Sequence, residues 1–240
     1  MTYLIVSDIH ANLEALDAVV ADARGRYDRI ACLGDLVGYG ADPNAVVEWS
    51  QANVAVVIRG NHDKACVGLD DLENYNPAAR ASAIWTRSAL TPESREYLEK
   101  LPRGPLVCEG ADLAHGSPAD EDEYLATPHD AELLRPFLGN ALSFFGHTHV
   151  QGGFLLSRGK GRRILPNGTV TLQQGHQYLV NPGSVGQPRD GNPRAAYAFF
   201  HPEQGVVEYR RVPYDVSGAA AKILAAGLPE FLATRLYEGL

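Results

Sequence analysis

The chain has 240 residues, with 21 basic against 29 acidic side chains and a formal net charge of -8. This length suits one large domain that buries a substantial core without staples. The acidic balance and the lack of a basic run exclude an extended nucleic-acid footprint, yet leave room for a small phosphate ester if cations reverse the sign locally.

Residues 3–7 form a short, mostly apolar run that stops at Asp8-Ile9-His10. Asn12 then offers a helix cap, and Leu13, Leu16, Val19 and Val20 recur at helical spacing. A second strand over 28–33 ends at Gly34-Asp35, and a helix over 43–51 opens on Pro43, a residue suited to a first turn. This strand–helix rhythm predicts a parallel sheet. The run 54–58 is wholly apolar, so it reads as a third strand buried on both faces, ending at Arg59-Gly60-Asn61-His62-Asp63.

From 69 to 101 the pattern turns helical and polar, with Pro77 and Pro92 at candidate helix starts, and reads as a helical insertion. Short strands over 106–107 and 112–114 lead to His115-Gly116. A helix over 130–135 precedes a strand over 141–145 that runs into Gly146-His147-Thr148-His149. Six short strands then follow, over 152–156, 163–165, 169–172, 178–180, 195–200 and 206–212, and their spacing predicts a second, antiparallel sheet. The Pro- and Gly-rich stretch 181–189 is a loop, and helices close the chain over 216–226 and 229–237. No linker or repeat interrupts the sequence, so residues 1–240 are expected to form one domain.

Cys32, Cys66 and Cys108 are odd in number and widely spaced, which fits reduced thiols acting as small core residues in a cytoplasmic protein. Met1 leads into a strand rather than a signal segment, and no apolar run is long enough to span a bilayer.

Five strands thus end in residues that bind metals: Asp8, His10, Asp35, Asn61, His115, His147 and His149. Singly, each has an ordinary role as turn former or surface histidine. Together they supply carboxylate, imidazole and amide donors, a set suited to Mn, Fe, Zn, Co or Ni, and enough for two ions if one ligand is shared. Two ions can clamp a phosphoryl group and hold a bridging water as hydroxide.

Asp8-x-His10, Gly34-Asp35, Gly60-Asn61-His62-Asp63, His115-Gly116 and Gly146-His147-Thr148-His149 resemble, in order, the five signature blocks of the calcineurin-like metallophosphoesterases. The resemblance covers most of residues 1–150. It implies a four-layer α/β/β/α sandwich with the site between two sheets. It also implies that Asp8, His10, Asp35 and His149 hold one ion, and Asp35, Asn61, His115 and His147 the other. The loop Asn181-Pro182-Gly183-Ser184-Val185-Gly186 resembles small bacterial and archaeal members, often phosphodiesterases.

The activity implied is in-line attack on a phosphate ester by the bridging hydroxide, with His62 facing the leaving group and Asp63 orienting it. Arg59 reads equally as a fork onto a phosphate or as a solvent-facing strand-end arginine, and Asn12 reads first as a helix cap, with substrate contact as its second role. Tyr39, Asp42 and Arg189 lie in loops within reach and take no assignment. A phosphodiester is the expected substrate. The alternatives are a dinucleoside polyphosphate, a phosphomonoester, or a non-catalytic scaffold on the same fold. The sheet edge and helical tail leave room for a homodimer.

Overall fold

The computed structural model describes residues 1–157 and 159–240. In chain order, β1 (Tyr3–Val6), α1 (Leu13–Ala23), β2 (Arg29–Cys32), α2 (Pro43–Asn53) and β3 (Val56–Val57) make the parallel start that the sequence predicts. The oxygen of Asn12 accepts from Ala15 N at 3.1 Å and so caps α1. β3 departs from expectation: it is two residues long, half-buried, and at the sheet's edge, where one flank lacks a partner strand.

Next come α3 (Asn61–Val67), α4 (Pro77–Ala89), α5 (Pro92–Glu99), β4 (Leu106–Cys108), β5 (Ala111–Leu113), α6 (Pro128–Leu133) and β6 (Leu142–Phe144). Asn76 and Thr91 cap α4 and α5 ahead of their first-turn prolines. The chain ends in β7 (Gly152–Ser157), β8 (Lys160–Ile164), β9 (Thr169–Thr171), β10 (Gln177–Asn181), β11 (Ala195–His201), β12 (Val206–Val212), α7 (Val216–Ala225) and α8 (Glu230–Glu238).

These late strands do not form a sheet of their own. One six-stranded sheet has the order β3-β2-β1-β11-β12-β9, and the other β4-β5-β6-β10-β7-β8, so both sheets are mixed. Edge recruitment of this kind leaves no trace in the period-2 pattern, which says which face is apolar but not which neighbour pairs.

Alternation along the strands builds the layers. Leu4, Val6, Ile30 and Cys32 face a core shared with α1 and α2, while Tyr3, Ile5, Ala31 and Leu33 face the second sheet's Leu113, Phe144, Tyr178 and Val180. On that sheet's far side Leu179, Phe154 and Leu156 pack on Ala131 of α6. The result is two mixed sheets back to back with helices outside, the α/β sandwich expected. Each fully buried aliphatic side chain contributes about 1.5–3 kcal/mol to holding these layers. The two C-terminal helices pack as a pair over Tyr39 through Ala220, Ile223, Leu232 and Leu236. Among the described residues, no helix is long and apolar enough to cross a membrane.

Candidate metal centre

Strand ends converge at one edge of the sandwich. Asp8, His10, Asp35, His147 and His149 all have positive φ, between 50° and 62°, although none is glycine. Such conformations cost about 1–3 kcal/mol each and persist only where the surroundings impose them. Here the loops after β1 and β2 are laced together: Asp8 N donates to Gly34 O at 3.0 Å, His10 N to Asp35 O at 3.0 Å, and Ala11 N to Leu36 O at 2.8 Å. A Cβ on Gly60 would lie 2.1 Å from Asp35 Oδ1, so only glycine lets the start of α3 approach that carboxylate. The backbone N–H of His62 uses this closeness, donating to Asp35 Oδ1 at 2.8 Å.

Two groups of buried donors result. Asp8, His10, Asp35 and His149 can bring one donor atom each within 4.8 Å of one another, and so can Asp35, His115 and His147. Asp35 belongs to both. Its Oδ2 lies 3.5 Å from His10 Nε2 and 3.4 Å from His115 Nε2, while Asp8 Oδ1 lies 3.5 Å from His149 Nε2. Asn61 Oδ1 joins the second group, 3.1 Å from His115 Nε2.

Residues 1–205 match the family model described as a calcineurin-like phosphoesterase superfamily domain. The chain belongs to this superfamily. It is 40% identical, with a TM-score of 0.88, to the crystal structure of a metallophosphoesterase from Sphaerobacter thermophilus, covering 100% of this chain and 99% of that one. It is 36% identical to an uncharacterized protein of Methanocaldococcus jannaschii, over 98% of this chain and 97% of that protein. A hypothetical protein from Pyrococcus horikoshii shares the fold, with a TM-score of 0.81 at 21% identity over 100% of this chain and 98% of that one.

The phosphoesterase donors fit metal ions on their own hydrogen bonding. Nδ1 of His10 faces Val37 O at 3.0 Å, Nδ1 of His149 faces Gln187 O at 2.6 Å, and Nδ1 of His115 faces Leu33 O at 2.8 Å. A carbonyl oxygen only accepts, so all three rings carry a proton on Nδ1, and His10 and His149 turn an Nε2 lone pair inward. Asp8 Oδ2, Asp35 Oδ2 and His147 Nε2 are buried with no hydrogen-bond partner. Buried acceptors without donors are costly, and a bound cation removes that cost.

Electrostatics agree. Burial pushes the Asp8 carboxyl up to about 6 and pulls His147 down to about 3. Burial also drives His10 and His149 well below the usual imidazole range, which leaves them neutral, as metal binding requires. Burial likewise opposes charge on both His115 and Asp35, but their mutual attraction outweighs it: His115 rises to about 10 and Asp35 falls well below the carboxylate range.

Beside these donors opens a cleft of about 430 Å³, lined by Tyr39, Asn61, His62, Tyr75, Tyr124 and His147, with Asp70 and Asp122 further out. His62 packs on Tyr39 at 4.3 Å between ring centres and edge-on to Tyr75 at 5.5 Å, and burial lowers it to about 4.

Three expected roles need correction. Asp63 does not orient His62, since its two oxygens accept from Asp35 N, Leu36 N, Val37 N and Gly60 N at 2.8–3.3 Å, while His62 Nδ1 has no partner. Burial and the Asp35 charge push the Asp63 carboxyl up to about 7, yet four N–H donors fit only its ionised form. Arg59 is not free for phosphate, because Glu121 takes its Nε at 3.0 Å and its Nη2 at 2.9 Å. Asn12 is spent as well: besides capping α1, its Nδ2 donates to Gly186 O at 2.8 Å.

Sequence reasoning passed over Tyr75 and Tyr124, although the Tyr124 ring packs tilted by 44° on His147, 4.0 Å between centres, and is 56% exposed. Neither sits in a signature block, and an isolated tyrosine in a polar segment carries no spacing signal.

Proposed function

We propose that this chain hydrolyses a phosphodiester at two metal ions. The observation that carries the reading is the pair of buried donor groups joined through Asp35 at the floor of an aromatic-walled cleft. Asp8, His10, Asp35 and His149 would hold one ion, and Asp35, Asn61, His115 and His147 the other. Ions such as Mn, Fe, Zn, Co or Ni, when bound, would lower the pKa of water and offset negative charge on a phosphoryl group.

The chain's own residues do the rest. Asp63 gathers four amides and so fixes the turn that presents Asp35. His62 lines the cleft beside the donors and supplies an N–H for the leaving oxygen, in a wall that it shares with Tyr39 and Tyr75. The tyrosine rings offer apolar surface for an organic group on the ester. Asp122 is paired with Lys64 at 2.7 Å, but Asp70 repels a doubly charged monoester more than a singly charged diester, which favours the diester.

The test is turnover of bis-p-nitrophenyl phosphate beside p-nitrophenyl phosphate, on chelated protein reloaded with Mn, with His62→Ala as control. Diester hydrolysis that needs metal and collapses in the variant supports the reading. No turnover of either ester with any first-row metal turns the assignment toward a nucleotide polyphosphate or a binding scaffold.

A further inference from the structure

Arg189 sits in the loop between β10 and β11, and the proposed chemistry leaves it unused. Its backbone N–H donates to His149 O at 3.2 Å, so the residue is fastened directly behind a candidate ligand. The side chain is half-buried and turns towards the cleft wall, with its guanidinium carbon 5.5 Å from the centre of the Tyr39 ring. That ring in turn packs on His62 at 4.3 Å and on His10 at 4.7 Å.

Arg189, like Arg87, Arg95 and Arg135, bonds no carboxylate, but it alone of these four lies against the Tyr39 ring. Arg59, Arg26 and Arg211 each pair with a carboxylate, Glu121, Glu208 and Asp190 respectively. Among the described residues no carboxylate oxygen lies within 4.0 Å of Arg189, whose Nε and Nη2 share the single acceptor Gln187 Oε1 at 3.3 and 2.8 Å. The Tyr39 hydroxyl is the other polar group beside the guanidinium. Gln187 thus braces the Nε–Nη2 edge of the fork and leaves its charge uncompensated by a carboxylate.

A second guanidinium, Arg235 of α8, is close enough that burial and then Arg189 bring it down to about 10. Two such cations repel one another until an anion arrives. A planar guanidinium matches the oxygens of a phosphoryl group, and the charge-assisted bond is strongest where water is excluded.

We propose that Arg189, braced by Gln187 and stacked on Tyr39, binds a non-bridging phosphoryl oxygen of the substrate. This rests on the phosphoesterase reading above and adds to it a substrate-binding residue outside the five signature blocks.

The experiment compares wild type, Arg189→Gln, Arg189→Lys and the charge control Arg194→Gln, all loaded with Mn. It reads kcat and KM on bis-p-nitrophenyl phosphate, inhibition by inorganic phosphate, bound metal and thermal midpoint. The glutamine variant should lose about 10- to 100-fold in kcat/KM, with phosphate inhibition weakened by a similar factor. The lysine variant should recover part of this, because it restores charge without the fork. Metal content and midpoint should stay at wild-type values, and Arg194→Gln should match wild type throughout. Unchanged kinetics and phosphate inhibition in Arg189→Gln overturn the proposal, as does an activity loss explained by lost metal or a lowered midpoint. If wild type itself turns over no ester, the hydrolytic reading falls. Calorimetry of inorganic phosphate on the metal-loaded proteins then decides Arg189 alone, and equal affinity in wild type and variant overturns its role.

Discussion

Nε2 of His10 lies 3.0 Å from Nε2 of His149, while Nδ1 of each ring faces a backbone carbonyl oxygen. With both protons committed to those carbonyls, two lone pairs point at each other across a buried gap. Neutral imidazoles repel in this arrangement, and a cation between them turns repulsion into attraction.

Metal should therefore stabilise the fold. Chelated protein is expected to melt at lower temperature than protein reloaded with Mn, since a ligand at 100 times its Kd adds about 2.7 kcal/mol. His149→Ala should reduce bound metal from two ions to one per chain. Differential scanning fluorimetry and elemental analysis check both, and a melting point indifferent to chelator and Mn would sink the dinuclear reading.

Gly60→Ala tests how tightly Asp35 is held. The added methyl would meet Asp35 Oδ1 at 2.1 Å and Asp35 N at 2.6 Å, so the turn after β2 or the start of α3 must give way. Overpacking of this kind costs about 1–3 kcal/mol. Displacing a shared ligand should also empty both sites, so the variant is expected to lose metal and activity together. Retention of two ions per chain would show that the close approach is dispensable.

Arg59→Gln separates an ion-pair role from a substrate role. Arg59 and Lys64 both bond Glu121, which is 8% exposed on its side chain, and this network ties α3 to the loop after His115. Removing the arginine leaves a buried carboxylate short of a partner, so the unfolding midpoint in urea should fall. KM for bis-p-nitrophenyl phosphate should change less than about two-fold, because uniform substrate binding is not lost. A large rise in KM at unchanged stability would return Arg59 to the substrate.

The same residue shows what the sequence makes legible. The signature blocks sit where strands end, and an apolar run breaking at Gly-Asp or Gly-His marks that edge, so Asp8, Asp35, His115 and His147 were expected to meet. The helix cap at Asn12 was legible from local spacing, whereas the partners of Arg59 and Asp63 were not, because they lie far along the chain or on the backbone: Glu121 is 62 residues from Arg59. The four amides that Asp63 collects exist only once two loops have closed. Strand order was hidden too, since β11 inserts beside β1 while β10 inserts beside β6, and both carry the same buried pattern.

His62 and Asp63 are adjacent, yet opposite outcomes are expected from their substitution. Asp63→Asn replaces one acceptor oxygen with an NH2 group that faces amide donors, leaving at least one buried N–H unpaired at a cost of about 1–3 kcal/mol. Its main signature should be a lower urea midpoint, with reduced metal content following from a loosened Asp35. His62→Ala removes a side chain that has no hydrogen bond through Nδ1 and lines the open cleft, so stability and metal content should hold. Turnover should instead fall by about 100- to 10,000-fold if its N–H serves the leaving oxygen. The comparison also depends on the leaving group: esters of more acidic alcohols need less help, so the His62→Ala defect should shrink from phenyl to p-nitrophenyl esters. An equal defect across that series would place His62 in ligand positioning rather than in leaving-group assistance.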